Sequence, residues 1–353
     1  MTPNWRFGHF LASTLGATLA PDYRQWQLAG TQSTPDQTER MESQVTRQEL
    51  DFAARKAAQQ YQGDFALPTV IMGLGVFSAY LATPFAVIAG ILPLWLGCLL
   101  MALLTYMAYT VLHDAAHGSI SGSHPSLRWI NEWMGYGAAF ILMIPLTAHR
   151  HEHLAHHRHT NNDAEDPDFV VSDMARSPFH AIRAAARVFI GQYRYYLRCR
   201  WPNGNSKQNR QFVTEVVVAV AARAAFLAQG FWLEGAAMII VGAVGGTALL
   251  LYLFAYIVHR PHAAQGRYVD TSTIVAPAWC NGLITWGWLF QNYHSIHHLF
   301  PRIPFYRYRR LFEEIEPAMR AHQAPIYRLT ASGLRLDQER PDLRELGVNS
   351  PIT

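Results

Sequence analysis

The chain has 353 residues, of which 50% are hydrophobic and 15% are charged, and its formal net charge is +4 at pH 7. This small positive excess does not favour nucleic-acid binding, because no run of basic residues alternates with exposed aromatic residues as a nucleic-acid groove requires. The three cysteines, Cys98, Cys199 and Cys280, are odd in number and far apart, which excludes a disulfide framework and a CxxC metal site.

The first 64 residues are polar, and we expect residues 1–64 to form a cytosolic N-terminal arm with a helix through Glu39–Tyr61. A short apolar stretch, Phe10–Ala20, follows Arg6 and is only loosely similar to a signal peptide, because Thr, Ser and Gly interrupt it. A peripheral arm is therefore the preferred interpretation.

Two apolar segments follow this arm. The stretch from Phe65 to His113 contains no Asp, Glu, Lys or Arg, and it is more than twice as long as the ~20 apolar residues that cross a bilayer. The sequence predicts one span over Leu67–Thr83, ending before Pro84, and a second over Ile91–Leu112. The short, uncharged connection between them predicts a helical hairpin.

A second hydrophobic pair follows a long polar section. It predicts spans over Phe212–Leu233 and Ala236–Val258, with a tight turn at Glu234–Gly235. Arg223 lies inside the first of these spans and is costly in lipid, unless it faces the bundle or the span is shifted. The arginines of Arg183–Arg200 are interleaved with aromatic residues. This pattern suits either an amphipathic helix on anionic headgroups or a soluble surface helix.

Four spans in two hairpins place residues 1–64, 113–210 and 259–353 on the same side of the membrane. The central section carries eleven Lys and Arg residues from Arg128 to Arg210, whereas the two short opposite loops carry none. Because cytoplasmic loops are enriched in Lys and Arg, we expect the polar sections and both termini to be cytosolic. The predicted location is a bacterial plasma (inner) membrane.

Histidines recur at regular spacing beside the predicted spans. The motifs are His113 and His117, then His153, His156 and His157, and finally His294, His297 and His298, while His259 follows the fourth span with His262 close by. Spacings of three and four residues place imidazoles on one face of a helix. Together the three motifs predict a metal site.

The number of candidate ligands indicates which metal. Imidazole suits zinc, copper, nickel and iron, and a structural zinc ion needs four ligands. The motifs supply eight imidazoles and His259 makes nine, which fits two ions that each keep an open position. The zinc-protease motif HExxH is not formed at His151–Glu152, because Ala155 stands where its second histidine is required. Two iron ions with O2 are the preferred assignment.

The sequences HDAAH (113–117), HLAHH (153–157) and HSIHH (294–298) resemble the three histidine boxes of the membrane fatty acid desaturase superfamily, over roughly residues 65–325. Within this range, NNDAEDPD (161–168) and QNYHSIHHLFPRIPFYRY (291–308) are most similar to the desaturase-type beta-carotene hydroxylases. The resemblance implies an all-α integral membrane protein, with four transmembrane helices in two hairpins capped by a cytosolic helical di-iron domain. Residues 326–353 are then a C-terminal tail.

The resemblance also implies the site residues and cofactors. Its metal ligands would be His113, His117, His153, His156, His157, His259, His294, His297 and His298. His149 and His262 remain open as further or alternative ligands. Asp114, Asp163, Asp166 and Asp168 are candidates for orienting the imidazoles, and Gln291 and Asn292 for reaching a metal through water. Two Fe ions, O2 as co-substrate and an external ferredoxin or cytochrome-type electron donor are implied, because no His-Pro-Gly-Gly motif of a fused cytochrome b5 is present.

We therefore expect an O2-dependent di-iron oxidoreductase of lipid metabolism. Hydroxylation of a carotenoid ring is the first interpretation, because of the segments around the second and third boxes. Fatty acyl desaturation is the alternative, and Arg302, Arg307, Arg309 and Arg310 beyond the third box could hold the phosphates of an acyl-CoA or acyl-carrier substrate. A histidine-rich metal transporter is a distant alternative. It would hold its ligands at the bilayer midplane, whereas the histidine motifs of this sequence lie outside the predicted spans.

Overall fold

The structure is a computed structural model, and it describes residues 37–337. The helices are α1 (Gln37–Tyr61), α2 (Leu67–Ile88), α3 (Leu94–His117), α4 (Arg128–Leu142), α5 (Leu146–His159), α6 (Pro178–Tyr195), α7 (Ser206–Leu227), α8 (Trp232–Leu250), α9 (Ala278–Gly287), α10 (His294–Leu299) and α11 (Tyr308–Ala321). The strands are β1 (Thr273–Val275), β2 (Ile326–Thr330) and β3 (Gly333–Leu336).

Three helices among the described residues are long and apolar enough to cross a membrane. They are α2, α3 and Trp232–His259, which contains α8 and its irregular continuation. In the last of these, the π-helical segment Leu251–Tyr256 is followed by a short 3-10 turn that ends at His259. The mostly helical fold and these three spans agree with the predicted class of membrane protein.

The fourth predicted span, Phe212–Leu233, remains a prediction. The structure forms α7 over 22 residues there, but this helix starts before Phe212, ends at Leu227 and carries Glu215 as well as Arg223. Arg223 donates to the carbonyl oxygens of Phe140 and Ile141 at 2.8 and 3.1 Å, at the C-terminal end of α4. The last carbonyl groups of a helix lack partners within that helix, and Arg223 donates to two of them. The guanidinium therefore faces the helical bundle, which is one of the two alternatives that the sequence left open.

The membrane helices α3 and α8 approach each other closely through small residues. A Cβ atom on Gly246 would lie 2.5 Å from the Cβ of Thr105, and one on Gly242 would lie 2.8 Å from the Cβ of Met101. Any larger side chain at these positions would push the helices apart. The ends of α3 and of the span that contains α8 are thereby held side by side, where the first histidine motif and His259 lie.

A small sheet was missed by the all-α prediction. β1 pairs with β2 in parallel, and β2 pairs with β3 antiparallel. The strands are only three to five residues long, and β3 contains no β-branched residue, so the pattern is too weak to identify from the sequence. β2 begins at Ile326, where the predicted C-terminal tail was to begin, so residues 326–336 belong to this sheet. The predicted division into arm, domain and tail stays a prediction.

The N-terminal helix is anchored to the C-terminal part of the chain. The helix expected at Glu39–Tyr61 is present as α1, which packs against α11. Tyr268 donates a hydrogen bond of 2.6 Å to Asp51 of α1, and Arg307 donates to the carbonyl oxygen of Tyr61 at 3.1 Å. The bond from Arg307 therefore holds the segment that follows the third histidine motif against the end of α1.

Candidate metal centre

The histidine motifs meet at one end of the membrane helices. His113 and His117 are on the last turns of α3, and His259 ends the third candidate span. α5 carries the second motif, and the short helix α10 carries the third. All nine predicted ligands are brought together in this region, eight of them in two groups and His294 beside the second group.

Five histidines form the first group, called cluster A. Their ring nitrogens lie within 4.8 Å of one another, and the residues are His113, His117, His153, His157 and His297. The Nε2 atom of His157 is 2.8 Å from that of His297 and 3.1 Å from that of His153. A neutral imidazole has one N–H and one lone pair, so these facing nitrogens cannot all be satisfied by each other. Their lone pairs point into a common space.

The second group, called cluster B, contains His156, His259 and His298, whose ring nitrogens also lie within 4.8 Å of one another. The Nε2 atoms of His156 and His259 are 3.0 Å apart, and those of His259 and His298 are 3.3 Å apart. The ring of His294 lies beside this group, with its centroid 4.9 Å from that of His259 and 4.8 Å from that of His298. His294 therefore borders cluster B.

The two HxxHH motifs divide between the clusters in opposite ways. On α5, His153 and His157 contribute to cluster A, whereas His156 contributes to cluster B. On α10, His297 contributes to cluster A, and His298 to cluster B. Residues four apart on a helix share a face, and a residue three positions on is offset around the axis. Each helix therefore serves both clusters, which holds the clusters next to each other.

The outward-facing nitrogens of several imidazoles bind acceptors or hydroxyl groups. His156 Nδ1 is 2.8 Å from Asp166 Oδ1, and His259 Nδ1 is 2.6 Å from the carbonyl oxygen of Ala255. His294 Nδ1 is 3.1 Å from Gln291 Oε1, and His297 Nδ1 is 3.2 Å from the hydroxyl of Tyr308. Such bonds fix the tautomer with the proton on Nδ1 where the partner accepts, and leave Nε2 free as a metal ligand.

Burial keeps most of these imidazoles neutral. It lowers the pKa of His153, His157 and His297 well below the usual range, and neighbouring histidines lower each of them further. A neutral imidazole has a lone pair available at neutral pH, and metal binding requires that lone pair. The region is therefore already in the protonation state that a metal requires.

His156 is the exception, because it has an acidic partner. Burial lowers its pKa, but the charge of Asp166 and the hydrogen bond to it outweigh burial, so the pKa of His156 is raised. The same pairing outweighs burial at Asp166 and lowers the pKa of that carboxyl group. Asp166 also accepts backbone N–H groups from Asn161 and Asp168, each at 2.9 Å. It is thus a fixed negative charge beside cluster B.

Two further carboxyl groups are near the clusters, namely Glu152 of α5 and Asp168. Burial raises the pKa of Glu152 well above its usual range, and the nearby charge of Asp168 raises it further. Burial also raises the pKa of Asp168. Two buried carboxyl groups this close favour one shared proton over two negative charges. The pair therefore contributes fewer negative charges to the centre than its two carboxyl groups suggest.

The residues left open as additional ligands lie outside the two clusters. His149 is buried, stacks on His153 with a centroid distance of 5.0 Å, and its Nδ1 is 3.2 Å from Gln192 Oε1. His262 stacks on Tyr256 at 5.2 Å and is not grouped with cluster B. This geometry favours His259 over His262 as a ligand, and an orienting role for His149.

The predicted orienting carboxylates have different surroundings. Asp166 has the predicted position, and Asp270, which the sequence did not indicate, lies 3.8 Å from His298 Nδ1. Asp114 instead accepts from Thr69 at 3.0 Å, and Asp163 is exposed. Asn292 donates to the carbonyl oxygen of Ile274 at 2.9 Å.

Aromatic side chains on the membrane side of the clusters were also missed. The ring of Phe254 is 4.9 Å from that of His113 and 5.1 Å from that of His294, and it packs edge-on against Tyr109 at 4.6 Å. Tyr109 and Phe254 lie within hydrophobic spans, where an aromatic residue gives no signal of its own. Only the fold shows that they contact the histidines.

Unpartnered buried nitrogens test whether this region fits metal ions. Both ring nitrogens of His113, Nε2 of His117 and Nδ1 of His153 are buried without a hydrogen-bond partner. Buried polar atoms are rarely left unpaired, because each costs about 1–3 kcal/mol. Nine converging imidazoles, three of them with unsatisfied nitrogens, and a paired carboxylate fit two ions with nitrogen ligands. Iron is one of the metals that imidazole suits.

Comparisons with known proteins agree with this chemistry. Residues 89–330, more than half of the chain, match the sequence profile of a family described as fatty acid desaturase. A sn-1 acyl-lipid omega-3 desaturase (ferredoxin) from Synechocystis sp. is 24% identical over 300 residues, which cover 77% of this chain and 82% of that protein. An acyl-lipid (7-3)-desaturase from Diacronema lutheri is 25% identical over 271 residues, which cover 65% of this chain and 57% of that protein.

Proposed function

Because the chain belongs to the fatty acid desaturase family, we propose that it introduces a double bond into the acyl chain of a membrane lipid, using O2 and two iron ions. The convergence of the histidines into clusters A and B carries this proposal. Cleavage of an unactivated C–H bond is beyond the chemistry of protein side chains, and iron with O2 supplies it when bound.

The proposed ligands are the eight histidines of the two clusters together with His294. Cluster A would hold one ion with His113, His117, His153, His157 and His297. Cluster B would hold the other with His156, His259 and His298, to which His294 would add a fourth ligand. Asp166, Gln291 and Tyr308 orient three of these imidazoles through the hydrogen bonds described above. Their role is to fix the direction of each Nε2 lone pair before a metal binds.

Other residues restrict access to the clusters. Phe254 and Tyr109 cover the side of the histidines that faces the membrane helices. A hydrophobic wall of this kind keeps water away and leaves an approach for an acyl chain from the bilayer. We propose that the acyl methylene groups that react lie against these two rings.

The choice of an acyl chain over a carotenoid ring rests on the relatives, both of which are named as acyl-lipid desaturases. The comparisons thus favour the alternative over the first interpretation from the sequence. The two segments behind the carotene hydroxylase interpretation have another explanation. Residues 161–168 contain Asp166, and residues 291–308 contain Gln291 and Tyr308, and all three bind histidines of the clusters. Similarity in these segments is therefore explained by their contacts with the histidines, and it does not depend on which substrate is oxidised.

The arginines beyond the third motif favour a lipid over a soluble acyl carrier. Arg307 pairs with Asp64 at 2.9 Å, and Arg309 pairs with Glu313 at 2.7 Å. A phosphate of CoA or of an acyl carrier would have to compete with these carboxylates for two of the four arginines. A substrate that stays in the bilayer needs no such phosphate site.

An external electron donor is part of the proposal. Removing two hydrogens from an acyl chain supplies only half of the four electrons that reduce O2 to water, so a donor must supply the rest. The Synechocystis relative is named for ferredoxin, and we propose a donor of this type. The excess of arginine in the polar section supports a cytosolic position for the histidine clusters and the donor, under the positive-inside rule.

Expression in bacteria with and without a beta-carotene pathway tests the proposal. We expect new double bonds in the fatty acids of total membrane lipids, read by mass spectrometry, and no hydroxylated pigment. His297→Ala removes a nitrogen from cluster A without touching the spans, so it should abolish the product while the protein still inserts. His124→Ala, at an exposed position, is the matched control and should leave the product unchanged. Hydroxylated carotenoid with unchanged fatty acids would overturn the proposal.

A further inference from the structure

The longest uncompensated basic stretch of the chain is centred on α6 and the π-helical turn that follows it, Tyr196–Arg200. From Met174 to Thr214 the sequence has eight Lys and Arg residues and no Asp or Glu. Nothing in the metal centre uses these charges. They therefore need a separate explanation.

The exposed side of this helix has two adjoining strips. One strip is formed by the exposed side chains of Arg183, Arg187, Arg194 and Arg198. Beside them are Phe179, Ile182, Ile190 and Leu197, whose exposed fractions are 69%, 70%, 59% and 48%. Both sets recur at intervals of three, four, seven or eight residues, so each set stays on its own side of the helix. We call the whole surface the arginine face.

The opposite side of the helix packs against the protein. Ala184, Gln192 and Tyr196 are buried there. Tyr193 donates a hydrogen bond to the carbonyl oxygen of Met143 at the end of α4, and its ring packs near Phe212 of α7 with a centroid distance of 6.1 Å. α6 is therefore fixed beside the helices that pack on the membrane spans, with its arginine face turned outward.

We propose that the arginine face lies on the surface of the same bilayer and binds the phosphates of anionic lipids. Arginine pairs well with phosphate oxygens, and the adjoining apolar side chains can enter the boundary between headgroups and acyl chains. An acidic soluble protein would match the arginines, but it would leave the strip of Phe179, Ile182, Ile190 and Leu197 without a purpose. A lipid surface satisfies both strips together.

This contact acts on the metal centre through the chain. α6 begins after the 3-10 segment Phe169–Arg176, which follows Asp168, and its Gln192 contacts His149. Lipid binding by α6 would therefore hold the outer side of α5 at a fixed depth relative to the membrane surface. The proposal does not depend on which substrate is oxidised.

Depth-dependent fluorescence quenching tests the proposal on the full-length protein in nanodiscs. Ala186 is exposed between Ile182 and Ile190, so Ala186→Cys in a Cys199→Ser parent carries an environment-sensitive label on the apolar strip. Lipids brominated in their acyl chains should quench this label strongly. A label at Ser332→Cys, in the exposed turn of the β2–β3 hairpin, should be quenched far less.

A pair of variants tests the charge. Arg183→Gln with Arg187→Gln should weaken the docking equilibrium roughly 30-fold, because each arginine contributes about a fivefold gain at an anionic surface. Quenching at Ala186→Cys should then fall, most clearly at low salt, because added salt screens the contribution of the arginines. Arg55→Gln with Lys56→Gln removes the same charge from an exposed part of α1 and should leave the quenching unchanged.

Three results would overturn the proposal. The first is a label at Ala186→Cys that brominated lipids do not quench. The second is quenching that is equal with and without phosphatidylglycerol and unaffected by the arginine variants. The third is a label that responds to an added acidic ferredoxin and not to lipid, which would assign the face to a protein partner. Size-exclusion profiles of the variants check that each remains folded.

Discussion

Asp166→Asn is the most direct test of how the protein prepares its metal ligands. The substitution keeps the shape of the side chain and removes its charge. One carboxylate oxygen of Asp166 accepts from His156 Nδ1 at 2.8 Å and from Asp168 N at 2.9 Å, and the other accepts from Asn161 N at 2.9 Å. An amide has only one oxygen for these three donors. At least one of the donors must lose its bond.

The substitution is expected to weaken metal binding, because of these contacts. His156 loses the charge that raises its basicity, and its ring is no longer fixed toward cluster B. Losing an outer partner of a metal-bound histidine typically weakens metal binding 10- to 100-fold, which is about 1.4–2.8 kcal/mol. We expect Asp166→Asn to release iron correspondingly sooner in a titration with a chelator, before any change in the insertion of the protein.

The neighbouring residue provides a matched control. Glu165 pairs with His159 at 3.1 Å, and its side chain is 60% exposed. Glu165→Gln therefore removes the same charge one position away without touching either cluster. If Asp166→Asn and Glu165→Gln retained iron equally well through the chelator titration, the reasoning about Asp166 would be refuted.

Further predictions follow from the clusters and the helices around them. Protein purified in mild detergent should contain close to two iron ions per chain, and one tightly bound zinc ion without iron in elemental analysis would contradict the di-iron assignment. In metal-free protein, burial holds the pKa of His153 and His297 below that of the unfolded chain, about 6.5. The unfolded state then binds more protons as pH falls below about 6.5, so the thermal midpoint should be lower at pH 5.5 than at pH 7.5, and an unchanged midpoint would count against neutral buried imidazoles. Arg223→Met leaves two carbonyl oxygens of α4 without their donor and should cost about 1–3 kcal/mol of stability, whereas the exposed Arg210→Met should cost little in the same thermal unfolding assay.

The sequence was sufficient to identify the histidines that gather at the centre. The i, i+3 and i, i+4 spacings are properties of a helix, so they could be recognised without any knowledge of the fold. The partition between clusters could not, because it depends on where α5 and α10 lie relative to each other. His156 and His297 occupy the same position within their HxxHH motifs, yet His156 belongs to cluster B and His297 to cluster A. Such long-range placement leaves no local pattern.

The weaker sequence signals have a common physical cause. The segment Phe212–Leu233 is rich in alanine and valine, which favours a membrane span. Its charged residues Glu215 and Arg223, however, form hydrogen bonds with the ends of neighbouring helices. Glu215 accepts the backbone N–H of Leu146 at 2.5 Å, at the start of α5. Arg223 satisfies the end of α4. Composition cannot distinguish a charged residue that caps another helix from one that faces water. The sequence of α7 therefore does not decide whether this helix spans the membrane.

The irregular end of the third span links the membrane helices to the centre. A regular α-helix turns by about 100° per residue, and the π-helical segment Leu251–Tyr256 adds a residue to its turn and changes the direction of the side chains that follow. Phe254 within this segment contacts His113 and His294, and His259 just beyond it directs Nε2 toward His156. The span that contains this local departure from α-helical geometry therefore supplies both a proposed ligand, His259, and part of the surface proposed to contact the acyl chain.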